Sequence, residues 1–174
     1  MTPQDQENLF RRWLEAHMGL MLKVARSCAA NPEDQDDLLQ EILLQLWRSL
    51  PAFRGESKET TWIYRVAFNT ALVWQRGELR RRKRHERLLA LDTPPPANAH
   101  PPDTMAGSEL VDRLYEAIRQ LPKLDVSLAL MHLDGLSYRE MAEVLGISEN
   151  HVGVKLTRIR RQLAQQLKGI INEL

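Results

Sequence analysis

Residues 92–108 hold five of the chain's nine prolines and no bulky hydrophobic side chain except Met105. Proline fixes φ and removes a backbone donor, so a stretch of this composition cannot join a packed core and behaves as an extended, semi-stiff connector. It therefore divides the 174-residue chain into two domains, residues 1–91 and residues 109–174, with a flexible linker at 92–108.

Both domains are predicted to be all-α. Apolar residues recur every three or four positions, and no stretch alternates apolar and polar residues long enough for a strand. The first domain should have three helices: residues 4–28, a second capped by Asn31 or Asp34 and ending near residue 49, and a third from residue 60 to the mid-80s. The third should bury Trp62, Ile63, Val66, Ala67, Thr70 and Val73. The second domain should have four helices, of which the first two span residues 109–120 and 122–133.

Charge is segregated along the chain, although the formal net charge is only +1. Residues 33–46 hold five acids and no base, whereas residues 76–87 hold seven bases against two acids. Such segregation indicates two different partners. The single cysteine, Cys28, excludes an internal disulfide and a multi-cysteine zinc site, and should pack as a small hydrophobic residue. With no signal peptide or long apolar run, a soluble cytoplasmic protein is expected, without membrane insertion.

Residues 135–168 have the pattern of two helices joined by a tight turn. Ser137 and Glu140 form a capping box before the first helix, Gly146 supplies the positive φ that ends it, and Ser148 can cap the second. The apolar stripes are Tyr138, Met141, Ala142 and Leu145 in the first helix, and Val152, Leu156, Ile159 and Leu163 in the second. The small Ala142 allows a close crossing. This combination predicts a helix-turn-helix.

The outward face of the second of these helices is suited to the major groove of DNA. A short polar N-terminal part can touch base edges, and a basic part can hold phosphates. The candidate DNA-binding residues are Ser148, Glu149, Asn150, Gly153, Lys155, Thr157, Arg158 and Arg161. A plain helical hairpin with a solvated basic face is the alternative.

The acid-rich helix near residue 40 presents a second candidate surface. Its core stripe is Leu38, Leu39, Ile42 and Leu46, and the turn of about 100° per residue gathers polar side chains opposite. The candidate docking residues are Asp36, Asp37, Gln40, Glu41 and Leu44. A leucine among acids and amides suits a protein-docking anchor. Two alternatives are acids that complement the helix dipole, and a metal or carboxylate-pair enzyme site, which no histidine or cysteine in ligand spacing supports.

Taken in order, these segments resemble an extracytoplasmic-function (ECF) sigma factor of bacterial RNA polymerase, in the sigma-70 family, over almost the full length. Residues 36–41, running on to Leu46-Trp47, resemble region 2.2 of that family. Phe53-Arg54-Gly55 and residues 61–71 resemble regions 2.3 and 2.4, and the helix-turn-helix resembles region 4.2. The order of the segments is more specific than any single motif.

The resemblance implies a promoter-specificity subunit without catalytic residues, metal or cofactor of its own, because core polymerase supplies the chemistry. Its acidic helix would dock on the clamp coiled coil of the largest polymerase subunit, and its second domain on the flap of the second-largest. Regions 2.3 and 2.4 would melt the −10 element and hold a flipped-out base of the non-template strand. Region 4.2 would read the −35 element in double-stranded DNA. An anti-sigma factor that clasps both domains is also implied.

Strand opening requires a protein that captures unstacked bases and steadies a single-stranded backbone. The candidate −10 residues are Phe53, Arg54, Ser57, Lys58, Trp62, Arg65, Asn69, Arg76 and Arg80. Trp62 could instead be a core residue that supports the loop, and Asn69 could tie the helix to the loop. The basic run that begins at Arg76 is most simply a contact to duplex phosphates, with a solvated helix end as the alternative.

The recognition helix departs from the family at Gly153 and Lys155, where a Lys and an Arg are frequent. Glycine costs a helix about 1 kcal/mol relative to alanine, and permits a closer backbone approach to DNA. Two other classes of protein account for less of the sequence. A dimeric helix-turn-helix regulator leaves the acidic helix unexplained, and an enzyme using Asp36, Asp37 and Glu41 needs a pocket that the sequence does not show.

Overall fold

The computed structural model describes residues 2–89 and 109–171, and those residues form seven α-helices without a strand. The first three are α1 (Pro3–Cys28), α2 (Pro32–Ser49) and α3 (Glu59–Leu89), with a 3-10 turn at Leu50–Ala52. The other four are α4 (Glu109–Arg119), α5 (Lys123–Leu133), α6 (Tyr138–Leu145) and α7 (Glu149–Ile171). The all-α prediction is confirmed. The predicted linker lies outside the described residues.

Side-chain caps fix where the N-terminal helices begin. Thr2 and Asp5 form a capping box at the start of α1. Asn31 caps α2, since its side-chain oxygen accepts a hydrogen bond from the Asp34 backbone N–H at 2.8 Å. Of the two caps that the sequence allowed, the structure therefore selects Asn31. Asp34 is buried, and its carboxylate accepts a hydrogen bond from Asn31 Nδ2 at 2.9 Å.

The first three helices pack on one another around fully buried Trp13, Leu38, Ile42 and Ile63. The prediction that Val73 faces inward is wrong, because its side chain is 67% exposed. At about 100° per residue, the buried side of α3, seen around the helix axis, reaches from Thr70 on one flank to Phe68 on the other. Val73 lies outside this arc. The arc extends to Tyr64 and Phe68, which are stacked with ring centroids 5.4 Å apart.

The helix-turn-helix forms as predicted. Ser137 and Glu140 make both bonds of the capping box, and Gly146 ends α6 at φ 66°. The second stripe packs inward, with Val152, Leu156 and Ile159 buried. The first stripe differs at its start, because Tyr138 is 38% exposed and Val144 is buried as well. Tyr138 is the first residue of α6, and its ring lies beside Gly153 of α7.

The two halves of the chain contact each other through α1, which touches α4 and α5, and through α3, which touches α6. The Tyr64 hydroxyl donates a hydrogen bond to Asp134 Oδ2 at 2.5 Å, and Lys23 forms an ion pair with the same carboxylate. The Arg26 guanidinium lies 4.5 Å from the centre of the Tyr115 ring. Burial, together with the Asp134 carboxylate, raises the pKa of Tyr64 far above its usual value. These polar contacts accompany apolar packing, because one cluster of buried hydrophobic side chains includes residues of both halves.

Candidate nucleic-acid interface and docking face

The outer face of α2 is acidic and carries one apolar side chain, Leu44, toward the C-terminal end of the helix. Of the five candidate docking residues, Asp36, Asp37, Gln40 and Leu44 are exposed, and Glu41 is half-buried. Glu41 accepts a hydrogen bond from Gln45 Nε2 at 2.7 Å. Leu44 is 42% exposed. These five residues are called the docking face below.

Trp47 extends the docking face. It belongs to the stretch that resembles region 2.2 but is not among the five candidate docking residues. The indole is 36% exposed, and its ring meets Phe10 edge to face with centroids 5.2 Å apart. Residues three positions apart share one side of a helix, so the spacing from Leu44 was the signal that could have found it.

The loop after α2 is anchored by a chain of three aromatic rings. Phe53 meets Trp13 edge to face with centroids 4.9 Å apart, and meets Trp62 in the same manner at 5.4 Å. Trp62 Nε1 donates a hydrogen bond to Ser49 Oγ at 3.2 Å. The alternative that Trp62 supports the loop from within therefore agrees with the structure. The rings hold the loop backbone in place before any ligand arrives.

Five of the candidate −10 residues line one open pocket of about 470 Å³. They are Phe53, Arg54, Ser57, Trp62 and Arg65, joined by Ala52, Glu56 and, from α6, Glu143. A volume of this size belongs to the range of small-ligand sites. The pocket brings together residues of the loop and of α3, as the sequence indicated. Its lining combines aromatic rings with guanidinium groups, which suits a nucleobase with its phosphate.

Asn69, Arg76 and Arg80 lie outside the lining of this pocket and are exposed. At about 100° and 1.5 Å per residue, they fall with Arg65 on one stripe of α3 that is about 22 Å long. This set of four residues is called the α3 stripe below. Three cations and an amide on one line are suited to following a phosphate backbone.

Lys58 and Arg65 are engaged by acids of the helix-turn-helix. Lys58 Nζ lies 2.7 Å from Glu140 Oε1, and Arg65 Nη2 lies 3.1 Å from Glu143 Oε1. The hydrogen bond from Lys58, together with those from Ser137, lowers the pKa of Glu140 to about 2. The sequence did not predict these pairs.

The structure divides the candidate −35 residues into two groups. Glu149, Asn150, Thr157, Arg158 and Arg161 are exposed on α7. Ser148 accepts a hydrogen bond from the His151 backbone N–H at 3.2 Å and so acts as a cap. Gly153 is half-buried beside the Tyr138 ring, and Lys155 Nζ donates a hydrogen bond to Asp125 Oδ1 at 2.7 Å. Gly153 and Lys155 are therefore less accessible to a ligand than the five exposed candidate residues.

Two further properties concern the described residues alone. Within residues 2–89 and 109–171, no group of three or more His, Cys, Asp or Glu side chains is placed to hold a metal ion. In the same ranges, no helix combines the length and the apolar character needed to cross a membrane.

Comparison with known proteins assigns the two halves to one family. Residues 13–85 match the model of Sigma-70 region 2, and residues 112–163 match that of Sigma-70, region 4. The ECF RNA polymerase sigma-E factor of Haemophilus influenzae is 32% identical over 79% of this chain and 77% of its own length. The chain belongs to the ECF sigma factors. The sigma-E factor of Escherichia coli K12 is a second relative, 29% identical over 79% of this chain and 76% of its own.

Two solved structures share the fold. RpoE of Bartonella quintana, in complex with the anti-sigma factor NepR, aligns over 91% of this chain and 96% of its own with a TM-score of 0.69 at 21% identity. CnrH, in complex with the cytosolic domain of CnrY, aligns over 94% and 90% with a TM-score of 0.65 at 21% identity. The prediction of two small helical domains is thereby confirmed.

As an ECF sigma factor, the protein is a promoter-specific transcription initiation factor that works with core RNA polymerase on promoter DNA. Sigma factors are non-catalytic. The region 2 match includes the docking face, the α3 stripe and the five candidate −10 residues that line the pocket of about 470 Å³, called the loop pocket below. The region 4 match includes the five exposed candidate residues of α7. A helix-turn-helix repressor is not supported, because residues 13–85 match a sigma region.

Proposed function

We propose that each function of this sigma factor belongs to a separate surface of the chain. The docking face binds the clamp coiled coil of the largest polymerase subunit. The loop pocket and the α3 stripe take the −10 element, and the exposed residues of α7 read the −35 element. The corresponding domains are residues 1–91 and 109–174, joined by the linker at 92–108, and the second domain also touches the flap of the second-largest subunit. The chain acts in the cytoplasm and contributes no catalytic residue.

The pocket beside the loop is the observation that carries this proposal. Five candidate −10 residues line one cavity of about 470 Å³, and they come from both the loop and α3. The arrangement favours a base that has left its stack, since π-faces and guanidinium groups bind single strands without needing a duplex edge. Asn69 and the arginines of the α3 stripe would then hold the backbone on either side.

The docking face supports polymerase binding through its combination of charge and exposed apolar area. An interface usually depends on a few large side chains surrounded by polar ones, and Leu44 with Trp47 provides such a centre. Asp36, Asp37 and Glu41 provide the surrounding charge and favour a basic partner surface.

On α7, Arg158 and Arg161 are the main candidates for contacts to the −35 element. Both are exposed, whereas Lys155 is held by Asp125. Glu149 and Asn150 lie at the N-terminus of the helix, where a recognition helix meets base edges. Tethering two modest contacts raises the overall affinity without either being strong.

An anti-sigma factor is a further proposed partner. One of the similar solved structures is a sigma factor in complex with an anti-sigma factor. The contacts between the two halves here would offer such a partner both domains at once.

The decisive test is promoter-dependent transcription with core polymerase and the full chain. Reversing the charge of the docking face with Asp37→Lys and Glu41→Lys should weaken core binding about tenfold or more, as expected for lost charge complementarity at an interface. The matched control reverses Glu15 and Glu116, which are exposed on α1 and α4. Circular dichroism checks the fold of both variants. Equal core affinity for the two double variants would remove the docking face from the interface.

A further inference from the structure

A second cavity, of about 220 Å³, lies where α4 and α5 meet α1 and α3. Its walls come from the C-terminal end of α1, the middle of α3, the end of α4 and the start of α5. It shares no lining residue with the loop pocket, and it is called the interhelix cavity below. A dry apolar cavity of about 150 Å³ is large enough to hold benzene. The interhelix cavity therefore has room for a molecule with two fused rings.

The body of the interhelix cavity is apolar. Five apolar side chains from both halves of the chain line it: Phe68, Ala71, Leu72, Leu121 and Val126. All of them except Leu72 are buried. Apolar and aromatic walls with a few polar groups are typical of small-molecule sites, because the ring of a ligand leaves water when it enters. The walls therefore favour a ligand with an apolar ring.

One buried hydroxyl in the wall has no partner. Ser27 is 4% exposed, and among the described residues its Oγ finds no hydrogen-bond partner. The other serine of the wall differs, because Ser127 donates its hydroxyl to the Lys123 carbonyl at 3.2 Å. Buried polar groups in folded proteins are nearly always hydrogen-bonded, so an orphan hydroxyl needs an explanation. A polar atom of a bound molecule would satisfy Ser27.

The charge of the wall favours an anion. Among the described residues that line the cavity, Arg119 and Lys123 are cations and none is an acid. Lys123 is the first residue of α5, and the N-cap Pro122 makes no side-chain capping bond there. The acid of that first turn, Asp125, is engaged by Lys155 at 2.7 Å. The positive end of the helix dipole and the Lys123 ammonium therefore attract negative charge at the same place.

The single cysteine of the chain lies in the same wall. Burial raises the pKa of the Cys28 thiol to about 12, although the charge of Lys123 acts in the opposite direction. The thiol is therefore neutral near pH 7 and does not compete with an anion for Lys123. Beside it, Gln75 Nε2 donates a hydrogen bond to the Cys28 carbonyl at 2.7 Å and ties α3 to α1. Cys28 also provides one chemical reporter of whether the cavity is occupied.

We propose that the interhelix cavity is a binding site for a small aromatic carboxylate. The ring lies between the apolar side chains of the two halves. The carboxylate pairs with Lys123 at the start of α5 and accepts a hydrogen bond from Ser27 Oγ. Since the walls come from both halves, a bound molecule stabilises the contact of α4 and α5 with α1 and α3. The ligand is therefore an effector of the way in which the halves pack.

The probe is 2-naphthoate, titrated into the full chain by isothermal calorimetry. It should bind at one site and raise the Tm of the chain as its concentration rises. A neutral compound with the same rings, 2-naphthalenemethanol, should bind at least fivefold more weakly, as expected for the loss of one charge-assisted contact. Equal affinity for the two compounds would overturn the assignment of the site to a carboxylate.

The Ser27 contact has a matched control within the chain. Thr61 Oγ1 is a second buried hydroxyl without a partner among the described residues, and Thr61 lies outside the cavity wall. Ser27→Ala and Thr61→Val should both raise the Tm of the ligand-free chain, because each removes an unsatisfied buried hydroxyl. Only Ser27→Ala should weaken 2-naphthoate binding, by about fivefold for one lost hydrogen bond.

A second pair of variants tests the charge. Lys123→Gln should weaken 2-naphthoate binding about fivefold or more and leave the affinity for 2-naphthalenemethanol unchanged. The control is Arg48→Gln, which makes the same change in net charge at an exposed position outside the cavity wall. The control should bind both compounds as the wild type does. Equal losses in the two variants would show attraction to the net charge alone and would overturn the site.

The alkylation rate of Cys28 by N-ethylmaleimide locates the probe. At a 2-naphthoate concentration ten times the Kd, the rate should fall to about a tenth, because few cavities then remain empty. Three results would overturn the proposal. They are the absence of saturable binding, binding that leaves the alkylation rate unchanged, and equal affinities of Ser27→Ala and Thr61→Val for 2-naphthoate. Circular dichroism of every variant checks that the fold is retained.

Discussion

Replacing two glycines of the helix-turn-helix by alanine should change stability in opposite directions. Gly153 lies inside α7, where glycine costs about 1 kcal/mol relative to alanine. A Cβ at Gly153 would lie 3.4 Å from Tyr138 Cε2, an ordinary contact distance. Gly146 has φ 66°, where any L side chain costs about 1–2 kcal/mol, although its Cβ would meet nothing within 4 Å. The expected gap between the two variants is therefore about 2–3 kcal/mol.

The measurement is urea and thermal unfolding of the full chain followed by far-UV circular dichroism. For a chain of this size, Gly153→Ala should raise the Tm by about 2–4 °C, and Gly146→Ala should lower it by a similar or larger amount. Because the Tyr138 ring already lies beside Gly153, promoter affinity of Gly153→Ala in the polymerase complex should equal that of the wild type. A destabilised Gly153→Ala would contradict the contact distance, and an unaffected Gly146→Ala would contradict the left-handed cap.

Two further predictions concern charge. The pKa of Glu140 is lowered to about 2 from an ordinary value of 4.5, so its contribution to stability is fully present above pH 4.5 and is lost as the pH falls toward 2. Glu140→Gln should therefore flatten the dependence of unfolding free energy on pH in that window, and an unchanged slope would contradict the assignment. Arg158→Gln should weaken binding to −35 DNA more than Lys155→Gln does, because Asp125 holds Lys155. Equal losses, measured by fluorescence anisotropy with the polymerase complex, would contradict that distinction.

Local chemistry made most of the helices predictable. Asn31-Pro32, the Ser137 and Glu140 pair, and Gly146 each determine a helix end through bonds made within a few residues. The apolar stripe of α7 also packs as predicted, since period and burial agree over several turns. Where a helix has a single packed face, its pattern suffices to find that face.

Contacts between distant residues were not predictable in this way. α3 packs on three helices at once, so its buried arc is wider than one stripe and shifts from Val73 toward Phe68. Arg65 and Lys155 have unremarkable positions in the sequence, and their partners Glu143 and Asp125 come from other helices. A single sequence gives the charge of such groups but not the choice among several acids within reach. The packing of α4, α5 and α6 on the first three helices also depends on contacts between residues far apart in the sequence.

The three rings of Trp13, Phe53 and Trp62 make the position of the loop after α2 depend on α1, a helix with no proposed contact to DNA. Loss of the Trp13 indole would leave Phe53 with one aromatic partner, Trp62, and release the loop on that side. A genetic screen for promoter-opening defects should therefore return substitutions deep within α1, and a map of such alleles drawn on the surface alone would miss the cause.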